Sequence, residues 1–343
     1  MKIKNFIKDN KKIFVGILIG MLISSGSVYA ASIISKDVSY DNSSSKLTST
    51  NVQGAIDEVY KTATDKVAEE EAKCPEGYKC NKIKTPLCKR ATKLHTEVCS
   101  NSSTSSHCQA DGYALNDTIT YGNLGENGTL SSGDAFDCDV NGDGVYDSGT
   151  ERFYYVSDMT NEKTSDLNTA VLVYYNNVSG GEASNSTAYA YDTNGDAYTN
   201  GPITAKEQLP TTSQWKNVSL TNTIRNTTDE KGTVRKTRFS YEGYAARLLT
   251  YQEVDKGCND SITKIDSTQG LSTKCKYLME NTKYSSDSLN TYGGWLETSN
   301  ASAYTTVWTV DAYHRAIYYT YAESDMEYGV RPAIEVSKDN ISY

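Results

Sequence analysis

The stretch Ala170-Val-Leu-Val-Tyr-Tyr175 is an unbroken apolar and aromatic run, and two other short apolar or aromatic segments, each with charged residues, are Arg152-Phe-Tyr-Tyr-Val156 and Val330-Arg-Pro-Ala-Ile-Glu-Val336. Runs this short, rich in β-branched and aromatic residues, read as strands. Gly, Asn, Asp and Ser clusters separate them and supply the turns. Residues 111–343 keep this strand-and-loop rhythm throughout. The composition agrees: 27 Tyr against 5 Phe and 3 Trp, with a hydrophobic share of 37% and a charged share of 22%. Such a chain favours sheets with wet faces and long polar loops over helix bundles.

Helix signals are local. Thr211 with Gln214 and Thr250 with Glu253 each have capping-box spacing, in which a hydroxyl and a carboxylate or amide satisfy orphan amides reciprocally. A third helix is expected over residues 273–281. Further upstream, Thr50 or Asn51 caps a helix in which Val52, Ile56, Val59, Ala63 and Val67 share one face. That face suits either self-association through residues 48–73 or packing on the following domain. The segment from Val38-Ser-Tyr-Asp-Asn42 to Gly54-Ala-Ile-Asp-Glu-Val59 resembles a stretch at the base of phage tail fibres and related surface proteins, which implies a self-associating stalk.

The N-terminus has five lysines before residue 13, then the uncharged run Ile13 to Ile23, then Val28-Tyr29-Ala30. This is the layout of a secretory signal. An uncleaved anchor is the rival, because no charge follows until Lys36. Either places the rest of the chain outside the cytoplasm. With 34 basic and 43 acidic residues the net charge is −9, a poor match to phosphate, so nucleic acid is not an expected partner.

Export and an even count of eight cysteines predict disulfides. Cys74 and Cys80 bracket a short turn, and Cys258 and Cys275 close a polar loop. The pairing of Cys88, Cys99, Cys108 and Cys138 stays open among three connectivities. The spacings match no zinc ribbon.

The sharpest chemical motif starts at Asp139 and reads D-x-N-x-D-G-x-x-D. Oxygen donors at alternate positions around Gly144 suit a calcium loop. Asp139, Asn141, Asp143, Val145 through its carbonyl, Asp147 and Glu151 are the candidate ligands. Glu151 stands one residue beyond the usual bidentate position. A metal-free Asp-Gly hairpin is the alternative. Asp192-Thr-Asn194-Gly-Asp196 lacks the sixth-position Gly and reads as a turn. His314 could act as a base, but the sequence places no nucleophile beside it. Between Trp295 and Tyr321 lies an aromatic segment, with Trp295, Tyr304, Trp308, Tyr318 and Tyr319 as candidate ligand contacts.

Leu209-Pro-Thr-Thr-Ser-Gln-Trp215 resembles the Arg-Leu-Pro-Thr-x-x-Glu-Trp helix start of the formylglycine-generating-enzyme and C-type-lectin-like superfamily, and Arg247-Leu-Leu-Thr-Tyr-Gln-Glu253 is a second version. Gly293-Gly-Trp-Leu-Glu-Thr-Ser299 is similar to the Trp-Ser-Ser-Thr stretch of its Fibrobacter-type paralogous surface domain, and Gly329-Val-Arg-Pro-Ala-Ile334 to its closing strand. Residues 111–343 also look like exported proteins of low-GC Gram-positive bacteria. The resemblance implies an α+β fold, a C-type-lectin-like domain with a small central antiparallel sheet, two or three helices and long loops. The expected order is a signal or anchor at 1–35, a polar stalk and amphipathic helix at 36–73, a Cys-rich segment at 74–110 and the binding domain at 111–343. The family's enzymes use reactive cysteines near the final strand. None follows Cys275 here, so the resemblance implies a non-enzymatic surface binder; with the loop at Asp139, the expected function is a calcium-stabilised binding module for an extracellular glycan or protein. An oligomeric stalk or fibre is the alternative, and an envelope-modifying enzyme a third.

Overall fold

The computed structural model describes residues 85–343 apart from 104, 111–112, 161–164, 259–272, 285–290, 315 and 326, together with residues 48, 50–59 and 61. The signal or anchor, Cys74 and Cys80 lie outside the described residues. The chain divides into two units, Met1–Lys84 and Thr85–Tyr343. In the first, a helix runs over residues 52–59, capped by Asn51, whose Oδ1 accepts from the Gly54 amide at 2.7 Å. No helix among the described residues is long and apolar enough to cross a membrane.

The second unit is mainly β. Its principal sheet has six strands in the order β14-β6-β5-β4-β1-β15, formed by β1 (Cys88–Arg90), β4 (Ala135–Cys138), β5 (Arg152–Thr160), β6 (Ser165–Tyr174), β14 (Ala333–Ser337) and β15 (Ile341–Ser342). All pairings are antiparallel except β1 with β15. A three-stranded sheet joins β11 (Gly293–Ser299), β12 (Thr306–Asp311) and β13 (Ala316–Tyr321). Three two-stranded ribbons complete the framework: β2 (His95–Val98) with β3 (Thr118–Tyr121), β7 (Val178–Ser179) with β8 (Glu182–Ala183), and β9 (Ile224–Thr228) with β10 (Val234–Ser240). The α-helices of this unit are short: α1 (Ser106–Ala110), α2 (Ala197–Asn200) and α3 (Tyr251–Gly257).

This corrects the α+β, C-type-lectin-like expectation. A helix of four to seven residues cannot form a layer, and five sheets do the enclosing. The reason is visible at residues 209–215. The capping hydrogen bonds do form there, with the Thr211 amide donating to Gln214 Oε1 at 2.9 Å and the Gln214 amide to Thr211 Oγ1 at 3.4 Å. The turn closes once, with the Trp215 amide on the Thr211 carbonyl, and then stops. Trp215 is packed edge-on against Phe153 and Tyr174 of the main sheet, and Asn217 is tied to Asp139. A cap nucleates one turn, but tertiary packing decides how far it propagates. The same box at Thr250 does open α3, with both reciprocal bonds present. Residues Thr273–Met279 form a 3-10 helix in place of the expected α-helix.

The compact unit begins at Thr85, and β1 lies inside the main sheet between β4 and β15. Its register sets Cys88 opposite Cys138, and these two form a disulfide. Cys99 pairs with Cys108, and Cys258 with Cys275 as expected. These bridges are compatible with an extracellular location.

Tyrosine dominates the core because each buried hydroxyl finds an acceptor. Tyr154 donates to Glu280 at 2.5 Å, Tyr191 to the Glu297 carbonyl at 2.7 Å, Tyr174 to the Thr150 carbonyl at 2.7 Å and Tyr328 to Asp311 at 2.6 Å. A buried ion network crosses between elements. Arg247 donates Nη1 and Nη2 to Glu253 on α3 at 2.9 and 2.6 Å, and Nε to Glu335 on β14 at 2.7 Å. Arg225 on β9 donates to Glu297 on β11 at 2.6 Å, and Tyr241 to the other Glu297 oxygen at 3.1 Å. For Glu253 and Glu335 burial alone would raise the carboxyl pKa. The guanidinium of Arg247 reverses this and holds both below the usual carboxylate range.

Candidate functional site

The first candidate region is the three-stranded sheet. β11 is wholly buried, and its entry Gly293 must lack a side chain, since a Cβ there would lie 2.0 Å from the Val310 carbonyl. Trp295 is 1% exposed and donates to the Tyr189 carbonyl at 2.6 Å. Trp308 is 2% exposed, donates to Glu230 at 3.0 Å and packs on Tyr251 of α3. Neither can meet a ligand at the surface, which corrects the reading of both as ligand contacts. Their indole nitrogens were satisfied inside, as buried Trp requires.

On β13 the pattern differs. It is an edge strand, and its pairing Trp308↔Tyr319 and Thr306↔Tyr321 puts Tyr319 and Tyr321 on one face. Tyr319 is 42% exposed, Tyr321 62%, Tyr304 57% and Tyr313 49%. Tyr304 and Tyr319, named from the sequence as candidates, are exposed; Tyr313 and Tyr321 were not singled out, although the i, i+2 spacing of Tyr319 and Tyr321 places them on one face. Tyr318 is half-buried and stacks on His314, with ring centres 4.0 Å apart.

His314 has a partner that the sequence did not identify. Asp311, fully buried, accepts from the His314 backbone amide at 2.8 Å through Oδ1, and its Oδ2 lies 2.9 Å from His314 Nδ1. Tyr328 donates to the same Oδ2. A carboxylate at Nδ1 fixes the ring and its tautomer. The arrangement orients an imidazole beside tyrosines; it contributes no nucleophile.

The second candidate region is the loop 139–151. All six candidate calcium ligands fall within it, and the side-chain oxygens of Asp139, Asn141, Asp143, Asp147 and Glu151 accept from the loop's own amides. Asp139 accepts from the Gly142 amide at 2.9 Å and the Gly144 amide at 3.2 Å. Asn141 accepts from the Asp143 amide at 2.8 Å, and Asp143 from the Val145 amide at 2.8 Å. Asp147 accepts from Gly149 at 2.7 Å, an interaction that together with the Thr150 hydroxyl lowers its pKa. Gly142 and Gly144, at φ of 78° and 84°, make the left-handed turns that this wrapping needs. Glu151 is buried, and its carboxylate meets only the Asp147 amide at 3.2 Å and the Asn141 amide at 3.5 Å. Burial, and then the charges of Asp143 and Asp139, push its pKa up to about 7. Among the described residues no three His, Cys, Asp or Glu side chains gather as a metal group. The donor chemistry suits calcium in kind, and in this arrangement the carboxylate and amide oxygens are engaged with loop amides. At 192–196, Asp192 is fully buried and accepts from Asn194, Asp196 and Asn200, so this stretch is the turn that was expected.

No known protein family, curated protein or solved structure matches the chain.

Sequence reasoning missed one further residue. His95, on β2, bridges two distant segments: Nδ1 lies 2.7 Å from Glu280 Oε1 and Nε2 lies 2.5 Å from the Ser148 carbonyl. Residues 53 and 185 positions apart in sequence give no local signal of such a contact.

Proposed function

We propose that this protein is an exported, cell-surface binding module whose contact surface is the tyrosine-lined edge of the β11–β13 sheet. The observation that carries the reading is the exposure of Tyr304, Tyr313, Tyr319 and Tyr321 on or beside one edge strand whose neighbours are buried and braced. Tyr presents large, stiff, amphipathic area at low entropic cost, which suits recognition. The rigid support comes from the β9–β10 hairpin tip. Glu230 accepts from Trp308 and from the Ala301 amide at 2.8 Å, and Gln252 of α3 donates to the Asp229 and Glu230 carbonyls at 3.0 and 3.1 Å.

Extracytoplasmic placement is supported by the disulfides and by the lysine-then-apolar N-terminal layout. The partner in this reading is an extracellular glycan or protein, with the N-terminal segment holding the chain at the membrane. The test is a glycan and protein array probed with the exported chain, repeated with a Tyr304→Ser, Tyr319→Ser, Tyr321→Ser variant. The reading expects at least a tenfold loss of the strongest signal with the fold intact by circular dichroism. Equal binding by the variant would remove the tyrosine edge as the contact surface.

A further inference from the structure

Both ring nitrogens of His95 face acceptors, the Glu280 carboxylate and the Ser148 carbonyl. Neither a carboxylate nor a carbonyl can donate, so both contacts are satisfied only when each ring nitrogen carries hydrogen, or when Glu280 holds the second proton itself. In either form the His95–Glu280 pair needs one proton more than a neutral imidazole and a carboxylate supply. Removing that proton sets a lone pair against an oxygen at one of the two contacts.

Each contact belongs to a different part of the fold. His95 is on the β2–β3 ribbon, Ser148 is in the acidic loop 139–151, and Glu280 follows the 3-10 helix Thr273–Met279. We propose that the protonated His95–Glu280 pair is a latch that holds the 139–151 loop against the β2–β3 ribbon, and that loss of one proton releases the loop at Ser148. The release falls at the Ser148 side because the one remaining ring hydrogen stays with the charged Glu280 carboxylate, a stronger acceptor than the Ser148 carbonyl, and Glu280 is also held by the Tyr154 hydroxyl on Oε2 and by Arg331 on its backbone carbonyl.

The groups around the imidazole set the sense of the switch. Burial disfavours the charged ring; the Glu280 carboxylate and the Ser148 carbonyl outweigh that, against a smaller opposing charge on Arg152, so His95 titrates above the ordinary imidazole value. Tyr175 stands edge-on at 5.1 Å, and Tyr121 is the residue opposite on β3. The loop side brings Asp147, whose carboxylate is occupied by Gly149 and Thr150. The His95 side chain is 23% exposed, enough for exchange with solvent protons. The inference does not depend on what the tyrosine edge binds.

The test follows the imidazole and the loop in one sample. Long-range nitrogen NMR of the full chain gives the protonation state of His95, and hydrogen exchange, expressed as protection factors to remove base catalysis, gives the closure of residues 147–151. Protection there should fall at least tenfold across the His95 titration while β5 and β6 stay protected. Glu280→Gln should shift the midpoint to lower pH, and the loop should follow it. His95→Gln should give low, pH-independent loop protection; if that variant does not fold, the wild-type titration alone decides. Loop protection that stays flat while His95 visibly titrates would overturn the latch, as would a His95 that stays a neutral single tautomer with a deprotonated Glu280 while the loop is closed.

Discussion

Arg247→Met strands two carboxylates. Arg247 is fully buried, and its guanidinium makes four hydrogen bonds, to Glu253, Glu335 and the Leu248 carbonyl. Methionine fills much of the volume but leaves Glu253, 2% exposed, and Glu335, 6% exposed, without their main counter-ion. Arg225 remains 3.9 Å from Glu335, already engaged with Glu297. Breaking one buried pair by removing a partner costs about 3–5 kcal/mol. That is a large part of the roughly 5–15 kcal/mol that holds a domain folded. Urea unfolding followed by Trp fluorescence at pH 7 should show the loss directly. The pH dependence has a definite sign. Glu253 and Glu335 titrate below their unfolded values, so their contribution is present above the usual carboxylate range and is lost as pH falls through the lowered folded values. In Arg247→Met the stranded carboxyls gain from protonation, so the gap to wild type should narrow as pH falls towards 4. A second variant, Arg247→Met with Glu253→Gln and Glu335→Leu, removes the charges together and should recover most of the stability. A loss under about 1 kcal/mol in the single variant, the scale of an exposed pair, would refute the view that this network is desolvated.

Four further outcomes are expected. Glu151→Gln should stabilise the fold at pH 8, because a carboxyl raised to about 7 contributes favourably below its unfolded value and loses that contribution as pH rises towards 7; parallel urea curves at pH 5 and 8 measure it. Millimolar calcium should leave the melting temperature unchanged; a rise that Asp139→Ala with Asp143→Ala abolishes would show that the loop oxygens leave their amides for a cation. Thr250→Ala should cost about 1 kcal/mol by removing the α3 cap, read from the same unfolding curves. Opening the Cys258–Cys275 bridge with a double serine variant should cost roughly 3 kcal/mol through the freed loop of the unfolded chain.

What the sequence disclosed was local. The runs at 152–156 and 170–175 became the central strands β5 and β6, and Thr250 opened a helix, since in each case neighbouring residues contain the signal. The Cys258–Cys275 pair was legible because it closes a single loop. The strand Cys88-Lys-Arg90 was not legible, because three residues with one apolar side chain have no periodicity; its place is set by Cys138 and Ile341 across the sheet. The helix expected after Thr211 failed for the same reason in reverse, with a sound local signal overridden by Trp215 packing on Phe153. At the candidate site, composition marked the aromatic segment but could not separate buried Trp295 and Trp308 from exposed Tyr319 and Tyr321. That division depends on which strand lies at the edge. His95, Glu280 and Ser148 meet only through tertiary structure.

Three disulfides in one β domain require that the chain mature where thiols oxidise. Differential alkylation of the native protein, trapped before the cells are opened and followed by non-reducing peptide mapping, tests this most directly. The account predicts linked peptides Cys88–Cys138, Cys99–Cys108 and Cys258–Cys275, with no alkylation at these six positions. Six alkylated thiols in the freshly trapped protein would contradict it.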